Sequence, residues 1–506
     1  MTQSTETPRA HDIENSSLWL AHADEVQCDV FNSGERFDVI VLGAGITGLT
    51  TAVLLAQAGK KVGVLEARSV GAVATGNTTA KLSLLHGTKL GEIVADHGVS
   101  VARAYVEANR AGQEWLVEFC GKHGLTVDQR DAFTYASKAE SVPRLRREHS
   151  ACREAGLDAV LAETPELPFP TYGAVQLPEQ YQFNPVDVLH ALSKNLRAAG
   201  GSLVTGTRAL EMKENQGIQI TTTQGSWFAR DVVVATGFPV FNQNLLFARL
   251  EAHRSYALAV KTSSEKPRGM YLSMENPARS LRTARVDDEL YLLVGGQGHV
   301  VGREESEHAC IKNLLAWAQA NFDDVIVTNI WSAQDYSTLD GLPLLTSTTI
   351  GQGRAFFATG YDKWGMSNGP AAALALSASL LQSRPAAWAS TLYERTTGRS
   401  RALTQALSRN GQVALEMARG WCQATPKQVT PSEGQGLIVH DGLKRVGVCQ
   451  VDGQRHEVSA ICPHLGGVLQ WNDAARSWDC PLHGSRFSHN GELLEGPATR
   501  SLTKKR

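Results

Sequence analysis

No apolar run in this chain approaches the ~20 residues that a bilayer-spanning helix needs. The longest candidate, Ala371 to Leu381, is an Ala/Leu/Ser stretch that reads as a short buried helix. An excess of one charge is also missing. The 49 basic and 51 acidic side chains leave a net −2, which gives no reason to expect nucleic acid or an anionic membrane as partner. The N-terminus is polar and acidic, so no secretory signal is expected. Cysteine is sparse. Six of the eight (Cys28, Cys120, Cys152, Cys310, Cys422 and Cys449) are scattered without a disulfide-like framework. That usage points to a reducing compartment, hence a cytoplasmic protein. What remains is ordinary globular composition, 42% hydrophobic and 20% charged. The length exceeds one compact core and implies two or three domains.

The other two cysteines stand in paired loops, Cys462-Pro463-His464-Leu465-Gly466 and Cys480-Pro481-Leu482-His483-Gly484. Each loop offers one thiolate and one imidazole. Cys462, His464, Cys480 and His483 are therefore a ligand set for an iron–sulfur cluster, with two cysteines on one iron and two histidines on the other. Glycines let both loops turn tightly. A structural zinc is the plainer alternative, but zinc sites usually group the cysteines first and the histidines later. The alternating order favours the cluster. It closely resembles the Rieske [2Fe-2S] motif.

Near the other end, the apolar run Phe37 to Leu42 reads as a buried parallel strand. Gly43-Ala44-Gly45-Ile46-Thr47-Gly48 follows, then a helical stretch from Leu49 to Gln57 and a second strand ending at Glu66. In this unit Gly43 permits the turn, Gly45 lets backbone approach a pyrophosphate, and Gly48 lets helix and strand pack. The helix N-terminus favours phosphate, and Glu66 is placed to accept from a ribose hydroxyl. A glycine-rich turn without ligand is the bland alternative. Three later stretches favour FAD over NAD. The hydroxyl-rich loop Gly71 to His86 carries Thr78, Thr79 and Lys81. A buried strand ends in Ala235-Thr236-Gly237. The turn from Gly360 to Pro370 holds Gly365 and Met366 before the Ala-rich helix, whose N-terminus favours a reduced, anionic flavin.

Together with Asp340-Gly341-Leu342-Pro343, these pieces resemble the D-amino-acid oxidase-like superfamily of FAD-dependent oxidoreductases. With the cluster motif at the C-terminal end, the order is similar to the bacterial YhfW-like group of fused FAD–Rieske proteins. The resemblance implies an α/β, Rossmann-like FAD-binding domain of the D-amino-acid oxidase type, an α+β substrate domain and a small all-β Rieske domain. The expected layout is an N-terminal extension over 1–35, the FAD-dependent domain over 36–385, a helical connector over 386–430 and the Rieske domain over 431–506. Substrate-domain segments are expected at about 90–180 and 245–335. The resemblance also implies oxidation of C–N or C–O bonds in small amines, amino acids or hydroxy acids, and a small amine or amino-acid-like substrate is expected here.

A flavin accepts a hydride and the cluster accepts one electron at a time. The expected flow is substrate to FAD, FAD to cluster, and cluster to an external acceptor. The opposite direction, with the cluster feeding the flavin, and an oxygen-dependent oxidase with a peripheral cluster are the alternatives. Gly467 and Leu482 occupy positions where some Rieske proteins carry a disulfide. Phe487 stands where high-potential members place a Tyr, while Ser485 keeps a hydroxyl. A low or intermediate potential and a ferredoxin-like acceptor are expected. For substrate handling the candidates are Lys363, Trp364, Arg282, Tyr256 and His86. Lys363 also reads as a solvated loop lysine and Arg282 as a surface arginine. His86 reads as a flavin contact, an attachment point or, preferably, a satisfied core histidine.

Overall fold

The computed structural model describes residues 13–163, 166–241, 246–348, 352–394, 430–442 and 444–505. The expected connector, with Cys422 and Pro426, lies largely outside them. Among the described residues no helix is long and apolar enough to cross a membrane.

The strand Arg36–Leu42 is buried from Val39 to Leu42 because helices or loops cover both faces, as a central parallel strand requires. It pairs in parallel with Val62–Leu65 on one side and Ser226–Val234 on the other. Ser202–Val204 extends the sheet beyond Val62–Leu65, and Ala355–Thr359 extends it beyond Ser226–Val234. Leu344–Thr348 closes that edge antiparallel. The helices Ile46–Gln57, Pro185–Ala198 and Gly365–Leu380 pack together against it. Pro185 opens its helix where a missing N–H costs nothing, and the Asn184 side chain caps it by accepting from Val186 N. The last helix begins at Gly365, so Pro370 lies inside it rather than ahead of it.

A second sheet runs in the order Ile326–Thr338, Leu250–Lys261, Glu289–Val300, Arg279–Val286, Met270–Ser273, Val127–Tyr135, Ala174–Phe183 and Lys81–Leu82. The helix Glu307–Asn321 covers one face, through Cys310 and Leu314 against Tyr256, Leu258 and Val294. The long helix Val99–Lys122 packs on Gly365–Leu380. Gly112 permits this approach, since a Cβ there would lie 2.3 Å from Ser367 O.

The C-terminal part is all β. Gly436–Asp441, Lys444–Val451 and Gln454–Ser459 form one antiparallel sheet. Gln470–Asn472, Ser477–Asp479, Arg486–Ser488 and Leu493–Glu495 form another. Trp478 and Phe487 are fully buried between them.

Candidate functional site

A cavity of about 420 Å³ runs between the two larger sheets. Gly43, Gly45, Glu66, Arg68 and Arg208 line one end, and Lys363, Trp364, Gly365 and Met366 the other. Gly43 has φ +105°, and a Cβ there would come 2.6 Å from Ala235 O. Only glycine fits that turn, which opens the N-terminus of the Ile46–Gln57 helix onto the cavity. Gly48 lies behind the wall, where a Cβ would meet Gly43 O. Glu66 accepts from Ala44 N at 2.9 Å and from Arg68 N at 2.8 Å, so its carboxylate is held in place and still borders the cavity. Burial raises its pKa against the pull of these two amides. Thr78, Thr79, Lys81, Thr236, Gly237 and Gly360 also line the cavity. The glycine cradle, helix end and acid fit a dinucleotide of FAD type.

Lys363 and Trp364 line the cavity at the end beneath the Gly365–Leu380 helix. The Trp364 ring stacks on His86, with centroids 4.2 Å apart and planes at 15°. His86 is buried, and its nitrogens meet Tyr105 Oη and Ser83 O, both at 2.7 Å. Burial lowers its pKa to about 3, so the ring is neutral. It supports Trp364 and is a satisfied core histidine.

Two expectations are corrected. Arg282 does not line the cavity. It is buried, and its guanidinium donates to the carbonyls of Thr79 and Ala80, both at 2.7 Å, and of Phe183 at 3.3 Å. No fork is left to grip a substrate carboxylate. Arg282 instead braces the loop that carries Thr78, Thr79 and Lys81. Tyr256 borders the cavity from a wall strand, but its ring joins the core beneath the Glu307–Asn321 helix. Its hydroxyl donates to Glu307 Oε2 at 2.5 Å and meets His299 Nε2 at 3.1 Å.

The two C-terminal loops are built alike. Gly466 N donates to Cys462 O and Gly484 N to Cys480 O, while Cys462 N donates to Gly467 O and Cys480 N to Ser485 O. Gly466 and Gly484 both take left-handed φ, +75° and +77°. Repeating one turn brings the His464 and His483 rings to 5.1 Å, at 85°. Burial lowers the pKa of both rings to about 4, which leaves neutral imidazoles. His483 Nδ1 is buried without a hydrogen-bond partner, as a nitrogen meant for iron would be. Cys462 and Cys480 share a hydrogen bond that lowers the pKa of the first and raises that of the second. Two sulfur and two nitrogen donors fit a Rieske cluster. Leu482 packs directly onto Gly467.

Sequence reasoning missed how the two sites meet. Gln334 is part of the cavity wall, yet its Nε2 donates to Gly484 O at 2.8 Å. Arg254, fully buried, lies 3.1 Å from Asp479 Oδ2. Asn472 donates to Glu307 at 2.5 Å, and Asp473 accepts from Ser306 Oγ and His308 N at the start of the Glu307–Asn321 helix. Phe247 stands edge-on to both cluster-loop histidines. Leu494, Glu495 and Gly496 of the C-terminal module border the cavity itself. Asp335 and Ser255, on its wall, were also missed, because each is a lone polar residue on a strand with no motif around it.

Residues 38–379 match the family model for FAD dependent oxidoreductases (DAO), and residues 421–505 match that for the Rieske [2Fe-2S] domain. The chain is 30% identical over 494 residues to YhfW of Bacillus subtilis (strain 168), a protein named for a Rieske 2Fe-2S iron–sulfur centre; the match covers 96% of each chain. Among solved structures, glycine oxidase from Geobacillus kaustophilus superposes with a TM-score of 0.59 at 18% identity, covering 70% of this chain and 96% of that one. L-amino acid deaminase from Proteus vulgaris gives 0.60 at 15%, covering 73% and 99%. The chain belongs to the DAO family of FAD-dependent oxidoreductases and carries a C-terminal Rieske [2Fe-2S] domain.

Proposed function

We propose that this oxidoreductase oxidises a small amine or amino acid at its C–N bond and exports the electrons singly through the cluster to an external acceptor. The observation that carries this reading is the shared wall. The strand Ile326–Thr338 borders the FAD cavity, and Gln334 on it is hydrogen-bonded to Gly484, which directly follows His483. Bound FAD supplies a two-electron acceptor for the substrate hydride. The chain's own residues do the rest. Gly43, Gly45 and the helix N-terminus orient the pyrophosphate, Glu66 the ribose, and Gly365 and Met366 the flavin ring. Trp364, held flat by His86, shapes the substrate end. Lys363 offers a cation there.

The second ligand loop faces inward, since Pro481, Leu482 and His483 are buried. On the first loop Pro463 and Leu465 are exposed around a half-buried His464. Entry near His483 and exit near His464 suits one-electron transfer to a ferredoxin-like protein. The names of the fold neighbours, glycine oxidase and L-amino acid deaminase, direct the substrate search to amino acids. The scattered cysteines keep the cytoplasm as the expected compartment.

The test is anaerobic stopped-flow mixing of the holoprotein with amino acids and simple amines. The expected course is flavin bleaching first and cluster reduction second. A panel that leaves the flavin oxidised, or a partner protein that reduces the cluster before the flavin, overturns the proposal.

A further inference from the structure

Four acids line the cavity among the described residues: Glu66, Asp335, Asp362 and Glu495. Three are matched. Glu66 takes two backbone amides, Asp362 pairs with Lys89 at 2.5 Å, and Glu495 takes Arg486 at 2.5 Å. Asp335 differs. Its Oδ2 is buried with no hydrogen-bond partner. Leaving such an atom unmet in the folded protein is costly, so it calls for an explanation.

The strand geometry shows where Asp335 points. Its Cα pairs with His253 of Leu250–Lys261, Ala333 pairs with Ser255, and Trp331 pairs with Ala257. By alternation these side chains share one face; Ser255, Ala257, Trp331, Ala333 and Asp335 border the cavity, as do Tyr256, Gln334 and Tyr336 between them, and the proximity of Lys363 to Asp335 sets the face. Ser255 Oγ is a second buried polar atom without a partner. Across from them stands Lys363, in left-handed backbone at φ +72° directly after Asp362 at φ +48°. Its ammonium reaches over Gly298, where a Cβ would lie 2.8 Å from Lys363 Nζ and 3.2 Å from Ser255 Oγ. Glycine at 298 keeps that space open. The charged and titratable groups facing Asp335 are Lys363, Asp362 and His253. This wall thus presents a cation, a hydroxyl and an anion side by side, with no ion pair within 4.0 Å between Lys363 and Asp335. That pattern complements a zwitterion.

We propose that Asp335 recognises the amino group of the substrate, pairing with its ammonium and taking one proton from it, while Lys363 and Ser255 hold the carboxylate. The substrate class is then a free α-amino acid, in preference to a hydroxy acid or a plain amine. The proton step balances without an oxidant. One N–H bond breaks, one O–H bond forms on Asp335, and the neutral amine keeps the lone pair that C–H cleavage requires. Burial raises the pKa of Asp335 to about 6 against the opposing pull of Lys363. The carboxylate is therefore ionised at neutral pH, yet more basic than a surface aspartate.

This inference rests on the proposed amine oxidation, and one set of measurements separates the two. Glycine, alanine and proline are compared with glycolate and lactate on the holoprotein, by calorimetric binding and by anaerobic flavin bleaching. The wild type is expected to bind the best amino acid at least about tenfold more tightly than a hydroxy acid. Its kcat/KM is expected to rise with pH through an acid limb near 6. In Asp335→Asn, with FAD content and melting temperature unchanged, the preference and the limb disappear and kcat/KM falls by about 10²-fold. Asp335→Glu restores part of the rate on a shifted limb. Should Asp335→Asn not fold, Asp335→Glu alone decides, and an unmoved limb overturns the inference. If Asp335→Asn keeps both preference and limb, the inference fails while amine oxidation stands. If no amino acid or amine bleaches the wild-type flavin, both fail.

Discussion

Gln334 Nε2 donates a 2.8 Å hydrogen bond to the carbonyl of Gly484, the residue after His483. The same nitrogen reaches Tyr336 Oη at 3.0 Å, and Gln334 Oε1 accepts from Arg254 at 3.0 Å. One strand thus separates the flavin cavity from a cluster-ligand loop. Gln334→Leu keeps the volume but leaves Gly484 O unmet, at a cost of about 1–3 kcal/mol to the docked state. Flavin bleaching by substrate is expected to be unchanged, while the flavin-to-cluster step slows. Stopped-flow spectra at the two chromophores measure this. Equal slowing of both steps would instead mean a general disturbance of the wall.

The docking itself depends on Arg254. It is fully buried, 3.1 Å from Asp479 and 3.8 Å from Glu307, and Arg486 lies 3.4 Å from Asp479 on the far side. Removing one member of a buried ionic set strands the others, at about 3–5 kcal/mol. Arg254→Met is expected to lower the melting temperature and to loosen the cluster module before the FAD fold melts. Calorimetry would show one transition becoming two. A single transition at the wild-type temperature would deny Arg254 this role.

The sequence made the two cofactor sites legible because each is encoded locally. Gly43, Gly45 and Gly48 act over one turn, and Cys462 to Gly466 repeats as Cys480 to Gly484 within one small domain. Tyr256 and Arg282 were legible as residue types but not as roles. Their faces depend on strand register, and their partners (Glu307 for one, the Thr79 and Ala80 carbonyls for the other) come from distant segments. Alternation alone would have set Tyr256 opposite Ser255 and Ala257, had the buried face been known. Asp335 has no motif around it, and only the folded wall reveals its unmet oxygen.

Arg282 gives the sharpest contrast between residue type and role. A substrate-gripping arginine, once removed, raises KM. An arginine that ties down the Thr79 and Ala80 carbonyls orders the loop beside the cofactor. Arg282→Met is therefore expected to weaken FAD retention, by about tenfold or more if two charge-assisted bonds are lost, with little change in KM for the protein that keeps its flavin. Arg282→Lys should rescue poorly, because an ammonium cannot reproduce the fork. Flavin release on dilution, measured against KM, checks both. A selective rise in KM would return Arg282 to the substrate.

The Lys89–Asp362 pair predicts an acid-dependent term in stability. Burial works to raise the pKa of Asp362, but Lys89 first, and then Lys363 and His253, together outweigh it and hold the carboxyl below its usual value. A depressed carboxyl contributes stability that is present above its unfolded pKa and lost as pH falls through the folded one. Lys89 is largely buried and Asp362 is 31% exposed, so Lys89→Met should cost about 1–3 kcal/mol at pH 7, less than a fully buried pair would. The gap should narrow as pH falls through the depressed folded pKa of Asp362, where the carboxyl becomes protonated in both proteins. Denaturant titrations at pH 7, 5 and 3 would show it. A gap independent of pH would mean lost packing of the lysine stem.

The potential of the cluster should follow from two side chains on the second ligand loop and the strand after it. The Ser485 hydroxyl interacts with Cys462 and accepts from Ala498 N at 3.0 Å, so it is fixed beside the sulfur donors. Phe487 is fully buried and brings no hydroxyl. Hydrogen bonds to the sulfurs stabilise the reduced cluster, which carries more negative charge. Ser485→Ala should therefore lower the potential. Phe487→Tyr should raise it where the new hydroxyl reaches a sulfur, though the tight core around Phe487 makes this variant the less stable one. Redox titration followed by the EPR signal of the reduced cluster orders the three proteins. A wild-type potential near that of respiratory-chain centres would show that something besides these two positions sets the value. Unchanged potential in Ser485→Ala would mean its hydroxyl serves the Ala498 turn alone.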